Sequence, residues 1–113
     1  MDCIFCKIIA GDIPGERVLE DDEFLAIRDI APKAASHVLV MPREHLPSLD
    51  EVGRWDADGK GQRLLDFTVR VADVLGIRGS GYRVVTNVGA DAGQVVDHLH
   101  LHVMGGDRLG EFH

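Results

Sequence analysis

Leu64, Phe67, Val71, Val74 and Leu75 recur at helical intervals, which lays one apolar stripe along a helix. The pattern predicts a helix from about Asp56 to Leu75. Gly59 and Gly61 weaken its first turns, so the firm part starts near Gln62, and Gly76 supplies the stop. Elsewhere the apolar residues crowd into short runs or alternate. Glu20-Asp21-Asp22 is a tight acidic turn before Phe24-Leu25-Ala26-Ile27, which reads as a hairpin. His37-Val38-Leu39-Val40-Met41 is a second β-rich run, stopped by Pro42, whose missing N–H interrupts a ladder. Tyr82-Arg83-Val84-Val85-Thr86 and Leu99-Leu101-Val103 return to strand alternation, while Ile8-Ile9-Ala10 is a short helical turn broken by Gly11 and Pro14. These elements predict an α+β domain: a mostly antiparallel sheet with one long helix packed on a face.

The strand at the end of that series carries the candidate chemistry. His98, His100 and His102 alternate with Leu99, Leu101 and Val103. Side chains of a strand point to opposite faces with period two, so three imidazoles project from one face about 6.6–7 Å apart while the aliphatics fill the other. Such a row suits metal binding, or nucleophilic and acid–base chemistry near neutral pH. The plainer alternative is a solvated edge strand with incidental histidines. Against it, histidine is a poor strand former, and half of the six histidines fall within five residues.

Composition sets limits on partners. A chain of 113 residues, 45% hydrophobic, is one compact domain over 1–113. No apolar run approaches the length of a membrane helix, and residues 1–15 lack the cationic start and apolar stretch of a signal peptide, which points to the cytoplasm. A formal charge of −7 argues against broad contact with nucleic acid or an anionic membrane. Any phosphate must therefore be held locally by backbone N–H groups, amides and imidazoles. The loop Asn87-Val88-Gly89-Ala90-Asp91-Ala92-Gly93-Gln94 has the composition for that, since its glycines permit positive φ and close approach to an anion. Alone it matches no P-loop or dinucleotide fingerprint, but it leads directly into the histidine row. Cys3 and Cys6 are too close together to staple a fold; in a reducing compartment the pair reads as a metal half-site.

Taken together, these residues resemble the histidine triad family, in its HINT-like nucleotide-binding branch. His98-Leu99-His100-Leu101-His102-Val103-Met104 fits the family's His-φ-His-φ-His-φ-φ signature at every position. Supporting matches are Ile4-Phe5-Cys6-Lys7-Ile8-Ile9, Glu20-Asp21-Asp22, Asp29-Ile30-Ala31-Pro32, the run from Ser36 to His45, Asn87, and Gly93-Gln94. The resemblance covers the chain from Cys3 to Gly106. It implies a five-stranded sheet with one long helix and a short N-terminal helix, continued across a homodimer, and a site for AMP-like purine nucleotides in each subunit.

Residue roles follow from the resemblance by position. His100 is the implied nucleophile, its Nε2 attacking the α-phosphorus to form a nucleotidyl-imidazole that water hydrolyses. Its ring is oriented by the main-chain carbonyl of His98. His102 contacts phosphate oxygens and the leaving-group side, and His37 stands behind as a hydrogen-bonding relay. Asn87, the backbone of Gly93 and Gln94 and the amide of Val95 hold the α-phosphate; Asp29 accepts from the ribose hydroxyls. Phe5, Ile8, Ile27 and Ile30 line an apolar slot for the base, although core packing would equally explain those four. Val95 stands where related phosphoramidases carry a serine, so only a backbone N–H remains there. The C-terminal extension is reduced to Asp107-Arg108-Leu109-Gly110-Glu111-Phe112-His113, which leaves side-chain specificity for the leaving group open.

The same resemblance completes the cysteine half-site. Bacterial relatives join two such cysteines to a histidine after the second strand and to the first triad histidine, here His45 and His98, around a structural zinc that takes no part in the chemistry. The alternative is two buried free cysteines with a solvated His45. For function, the residues imply a hydrolase of adenosine 5′-phosphoramidate-type substrates. Cleavage of dinucleoside polyphosphates would use the same histidine, whereas a non-catalytic purine nucleotide-binding dimer would gain little from a nucleophile. A metal held by the triad itself would leave Asp29 and the Gly-rich loop unexplained.

Overall fold

The computed structural model describes residues 3–55 and 58–111. Its elements in chain order are α1 (Ile4–Ala10), β1 (Arg17–Glu20), β2 (Phe24–Arg28), β3 (Ser36–Pro42), a 3₁₀ turn (Leu49–Arg54), α2 (Lys60–Val74), β4 (Tyr82–Val85), a second 3₁₀ turn (Ala90–Ala92) and β5 (Leu101–Gly105). The five strands form one antiparallel sheet in the order β1-β2-β3-β5-β4. The α+β expectation, with its single long helix, is met.

Sheet register explains why β2 and β3 read as unbroken apolar runs. One face presents Phe24, Ala26, Val38, Val40, Leu101 and Val103 to Leu64, Phe67, Val71 and Ala72 of α2. The opposite face packs Leu25, Ile27, Leu39 and Met41 against Phe5 and Ile8 of α1. Strands covered on both sides have no solvent face to mark with polar residues, so their period disappears. Leu64, Phe67 and Val71 of the predicted stripe are buried and Leu75 packs against them, whereas Val74, at the end of α2, is exposed; burying a phenylalanine such as Phe67 contributes about 1.5–3 kcal/mol relative to leaving it exposed.

Boundaries differ in instructive ways. α2 begins at Lys60, two residues before the expected firm start, because the Asp58 carboxylate accepts from the Lys60 N–H at 3.0 Å and supplies a cap that Gly59 cannot. The predicted outer limit, Asp56, lies outside the described residues. Gly76 adopts φ +74° just after the helix, as a stop there requires. α1 starts earlier than the Ile8 turn: Cys3 caps it through its sulfur, which accepts from the Cys6 N–H, and Gly11 at φ +86° closes it. Pro42 is the last residue of β3, opposite Phe24. The 3₁₀ turn from Leu49 was not anticipated. Its signal is Ser48 followed three residues later by Glu51, a capping-box spacing, and Ser48 Oγ does accept from the Asp50 N–H.

The histidine segment departs from a continuous strand. β5 starts only at Leu101, and upstream the Leu99 N–H leaves the ladder to donate to the Leu46 carbonyl at 2.6 Å. Alternation nevertheless persists: Leu99, Leu101 and Val103 join the α2 core, while the three imidazoles lie on the α1 side. Among the described residues, no helix is long and apolar enough to cross a membrane.

Candidate active site and metal centre

Backbone groups assign the tautomer of each imidazole in turn. His98 is wholly buried, and its Nε2 lies 2.8 Å from the Pro42 carbonyl oxygen. A carbonyl only accepts, so Nε2 carries the proton and Nδ1 keeps a lone pair. Burial holds this ring below the ordinary histidine range, so it is neutral near pH 7. His100 is held the opposite way round: its Nδ1–H donates to the His98 carbonyl at 2.8 Å, which leaves the Nε2 lone pair free.

His37 and His102 form a second chain. The Lys33 backbone N–H donates to His37 Nδ1 at 3.0 Å, so His37 carries its proton on Nε2 and donates it to His102 Nδ1 at 2.9 Å. His102 is thereby left with an Nε2–H donor. Burial pushes His102 down to about 4, helped by the adjoining rings of His100 and His37; burial likewise lowers His37 despite the Asp29 carboxylate 3.4 Å away. The row therefore sets His100 Nε2, with the Nδ1 proton committed to the His98 carbonyl, beside an N–H donor at His102, the ring centroids 5.1 Å apart. One ring can attack through Nε2 while its neighbour hydrogen-bonds the departing atom.

Cys3, Cys6, His45 and His98 converge behind that row. Cys3 Sγ is 3.3 Å and Cys6 Sγ 3.6 Å from His98 Nδ1, and Cys6 Sγ is 3.3 Å from His45 Nδ1. All four ligand atoms lie within 4.8 Å of one another, and the group could hold a metal ion. The donor chemistry fits: two thiols and two imidazoles suit a closed tetrahedral site, and the Pro42 contact keeps the His98 Nδ1 lone pair turned toward both sulfurs. In the metal-free thiol state, burial and the neighbouring Cys3 thiol push Cys6 up to about 11. Asp29, His37 and His102 also fall within 4.8 Å of one another. There the geometry disfavours a metal, because the Lys33 N–H occupies His37 Nδ1 and forces the proton onto the nitrogen that would ligate.

Of the residues expected to line the base slot, Phe5, Ile8 and Ile27 pack together in the α1-side cluster. Phe5 stands edge-on to both His98 and His100, at 5.9 and 5.0 Å between ring centroids. Ile30 does not join them: its exposure is 101%. The neighbouring Asp29 Oδ1 accepts from the Ala31 N–H at 2.8 Å, closing a turn from which Ile30 projects outward. Val95 is also exposed, at 91%. Gly89 and Gly93 both adopt φ +77°, the freedom the loop was expected to need. The Gln94 side chain staples this loop, accepting from the Gly89 N–H and donating to the carbonyls of Pro47 and Val96. Asn87 borders a hollow beside His102.

Three contributors had no place in the sequence reading. The Pro42 carbonyl and the Lys33 N–H are backbone groups, which carry no residue signature. Thr86 donates its hydroxyl to the His100 carbonyl at 2.8 Å; its only sequence signal was a hydroxyl residue closing the alternation of β4.

A five-stranded antiparallel sheet with a row of three imidazoles on one face defines the class as a histidine-triad sheet protein. A family model described as HIT domain matches residues 10–109. The chain is 37% identical over 109 residues to the purine nucleoside phosphoramidase of Escherichia coli (strain K12), covering 96% of this chain and 91% of that protein. It is 39% identical over 105 residues to an uncharacterized HIT-like protein of Helicobacter pylori (strain ATCC 700392 / 26695), covering 93% and 97% respectively. A solved histidine triad protein from Clostridium difficile superposes with a TM-score of 0.91 at 39% identity, covering 100% of this chain and 97% of that one. A HIT family hydrolase from Clostridium thermocellum gives 0.90 at 39% identity, covering 98% and 96%. The chain belongs to the HIT domain family.

Proposed function

We propose that this protein is a nucleotide hydrolase whose single domain, over 1–113, cleaves purine nucleoside 5′-phosphoramidates through a covalent nucleotidyl–His100 intermediate. The observation that carries this reading is the His98 carbonyl accepting from His100 Nδ1–H, which frees the Nε2 lone pair. The similarity to a purine nucleoside phosphoramidase supports the substrate class.

In the proposed reaction His100 Nε2 forms a bond to the α-phosphorus as the P–N bond to the leaving amine breaks. The amine takes up a proton from water and leaves, the hydroxide so formed remaining for the second step, while the Nε2–H of His102 hydrogen-bonds the departing nitrogen and the His37 Nε2–H holds the His102 ring in place. That hydroxide then adds to phosphorus, the P–His100 bond breaks, and AMP leaves. Asn87, the backbone of Gly93 and Gln94 and the Val95 N–H are assigned to the α-phosphate, Asp29 to the ribose, and Phe5, Ile8 and Ile27 to the base; Ile30, in solvent, is assigned to the rim.

The metal is proposed to be zinc. Held by Cys3, Cys6, His45 and His98 with no open position, it would contribute folding free energy and no chemical step. Two copies are proposed to join along β4, whose outer edge pairs with no strand among the described residues and whose Val84 is 43% exposed.

Mass spectrometry after brief exposure to a reactive AMP ester tests the mechanism. An adenylyl group on His100 is expected. His100→Asn should lose both the adduct and turnover, while its AMP affinity stays within about tenfold, or about 1.4 kcal/mol. Hydrolysis retained by His100→Asn refutes the covalent route. Faster turnover of a dinucleoside polyphosphate than of adenosine 5′-phosphoramidate reassigns the substrate.

A further inference from the structure

The middle imidazole sits where the sheet stops holding the chain. On the β4 side the ladder runs only as far as Val85 opposite His102, on the β3 side only as far as Val40 opposite Leu101, and β5 itself begins at Leu101. His100 therefore lies one residue outside the strand. Other contacts hold it there. Its ring is tied through Nδ1–H to the His98 carbonyl at 2.8 Å and stands edge-on to Phe5. One residue upstream, the Leu99 N–H donates to the Leu46 carbonyl at 2.6 Å. The His100 carbonyl in turn accepts from the Thr86 hydroxyl at 2.8 Å.

That last bond acts on the torsion that aims the side chain. From Leu101 onward the backbone is fixed by two ladders, so the ψ of His100 decides how its Cα–Cβ bond, and with it the ring, stands relative to β5. The direction of the His100 carbonyl is the direct expression of that ψ. Alternate carbonyls of a strand face the same neighbour, which turns this one toward β4 beyond the last ladder pair. Thr86 is the first residue after β4, and its hydroxyl supplies the donor that the ladder no longer does. A reacting atom misplaced by about 1 Å costs on the order of a hundredfold in rate.

We propose that Thr86 is a positioning residue for the nucleophile: its hydroxyl, through the His100 carbonyl, holds the His100 ring at the angle from which Nε2 reaches phosphorus. Thr86 moves no proton and meets no reacting atom in the proposed reaction. The bond runs inward to the β5 segment, so it needs no access from the outer edge of β4. The proposal rests on the reading of His100 as the nucleophile.

Thr86→Val and Thr86→Ser separate the hydroxyl from the packing of the side chain. Valine keeps the β-branched shape that suits extended chain and loses the donor; serine loses the methyl and keeps the donor. In single turnovers of adenosine 5′-phosphoramidate by the full chain, Thr86→Val should slow cleavage about ten- to thirtyfold while AMP affinity stays within about threefold, and Thr86→Ser should stay within about threefold of wild type in both. A residue that merely supports the strand gives the opposite order, since valine is the better strand former. Three-bond NMR couplings from His100 Cγ to its backbone nitrogen and carbonyl carbon read the ring's χ1 without substrate: a single rotamer is expected in wild type and Thr86→Ser, and averaged values in Thr86→Val. Thr86→Ala should match valine. Wild-type cleavage by valine or alanine, equal losses in serine and valine, or an undisturbed His100 rotamer in Thr86→Val overturns the proposal. Couplings that behave as expected in a chain that neither cleaves the phosphoramidate nor takes up an adenylyl group on His100 overturn the hydrolase reading and leave the positioning of the ring in place.

Discussion

Acid should destabilise this fold through His102, and replacing that residue by glutamine should remove part of the sensitivity. Burial holds the ring near 4 in the folded protein against about 6.5 in an unfolded chain. The unfolded state then takes up protons first as pH falls. The destabilisation from His102 is therefore absent above about pH 6.5, grows as pH falls from 6.5 to 4, and is complete below 4. A shift of that size corresponds to about 3 kcal/mol when complete and about 2 kcal/mol by pH 5. Because the ring is only partly buried, solvent screening reduces the value at pH 5 to about 1 kcal/mol. Urea unfolding of the wild type and His102→Gln at pH 7.5 and pH 5 reads this directly. Groups remote from His102 contribute equally to both proteins and cancel in the comparison. A glutamine oxygen can still accept from His37 Nε2–H, so the variant retains a partner for that buried donor. The wild type should lose about 1 kcal/mol more than the variant between the two pH values. A difference below about 0.3 kcal/mol would show that His102 is not held neutral by its surroundings.

Protein purified without chelator should contain one zinc per chain, and chelation or Cys3→Ser/Cys6→Ser should lower the melting temperature by on the order of 10 °C, or about 2 kcal/mol. Metal analysis below a tenth of an equivalent, with a melting point indifferent to EDTA, returns the cysteines to the core. Asp29→Ala should raise KM for ribonucleotide substrates by the equivalent of about 1.5–3 kcal/mol and leave 2′,3′-dideoxy analogues much less affected. Equal losses for the two sugars place Asp29 outside the ribose site. Phe67→Ala, at the centre of the α2 face, should cost about 3–5 kcal/mol in denaturant unfolding; a loss under about 1 kcal/mol means the α2 contact is not the principal core.

Several features of this protein were legible in the chain because the physics that produces them is local. Period two turned His98, His100 and His102 to the side opposite Leu99, Leu101 and Val103, and that division holds even where the backbone leaves the ladder. The stripe from Leu64 to Leu75 marked the helix, and Cys3-x-x-Cys6 marked half of a ligand set. Only the tertiary structure decided what each imidazole does. It sets His98 against a carbonyl 56 residues away and a sulfur 95 residues away, and supports His102 with a histidine 65 residues away. The sheet order that places β3 beside β5 creates these neighbours. Tautomers follow from which backbone group faces each ring nitrogen, and a backbone N–H or carbonyl looks the same in every residue type. For the same reason no periodicity announced the hollow beside His102: its walls come from two loops and three strands, and they meet only when the sheet closes.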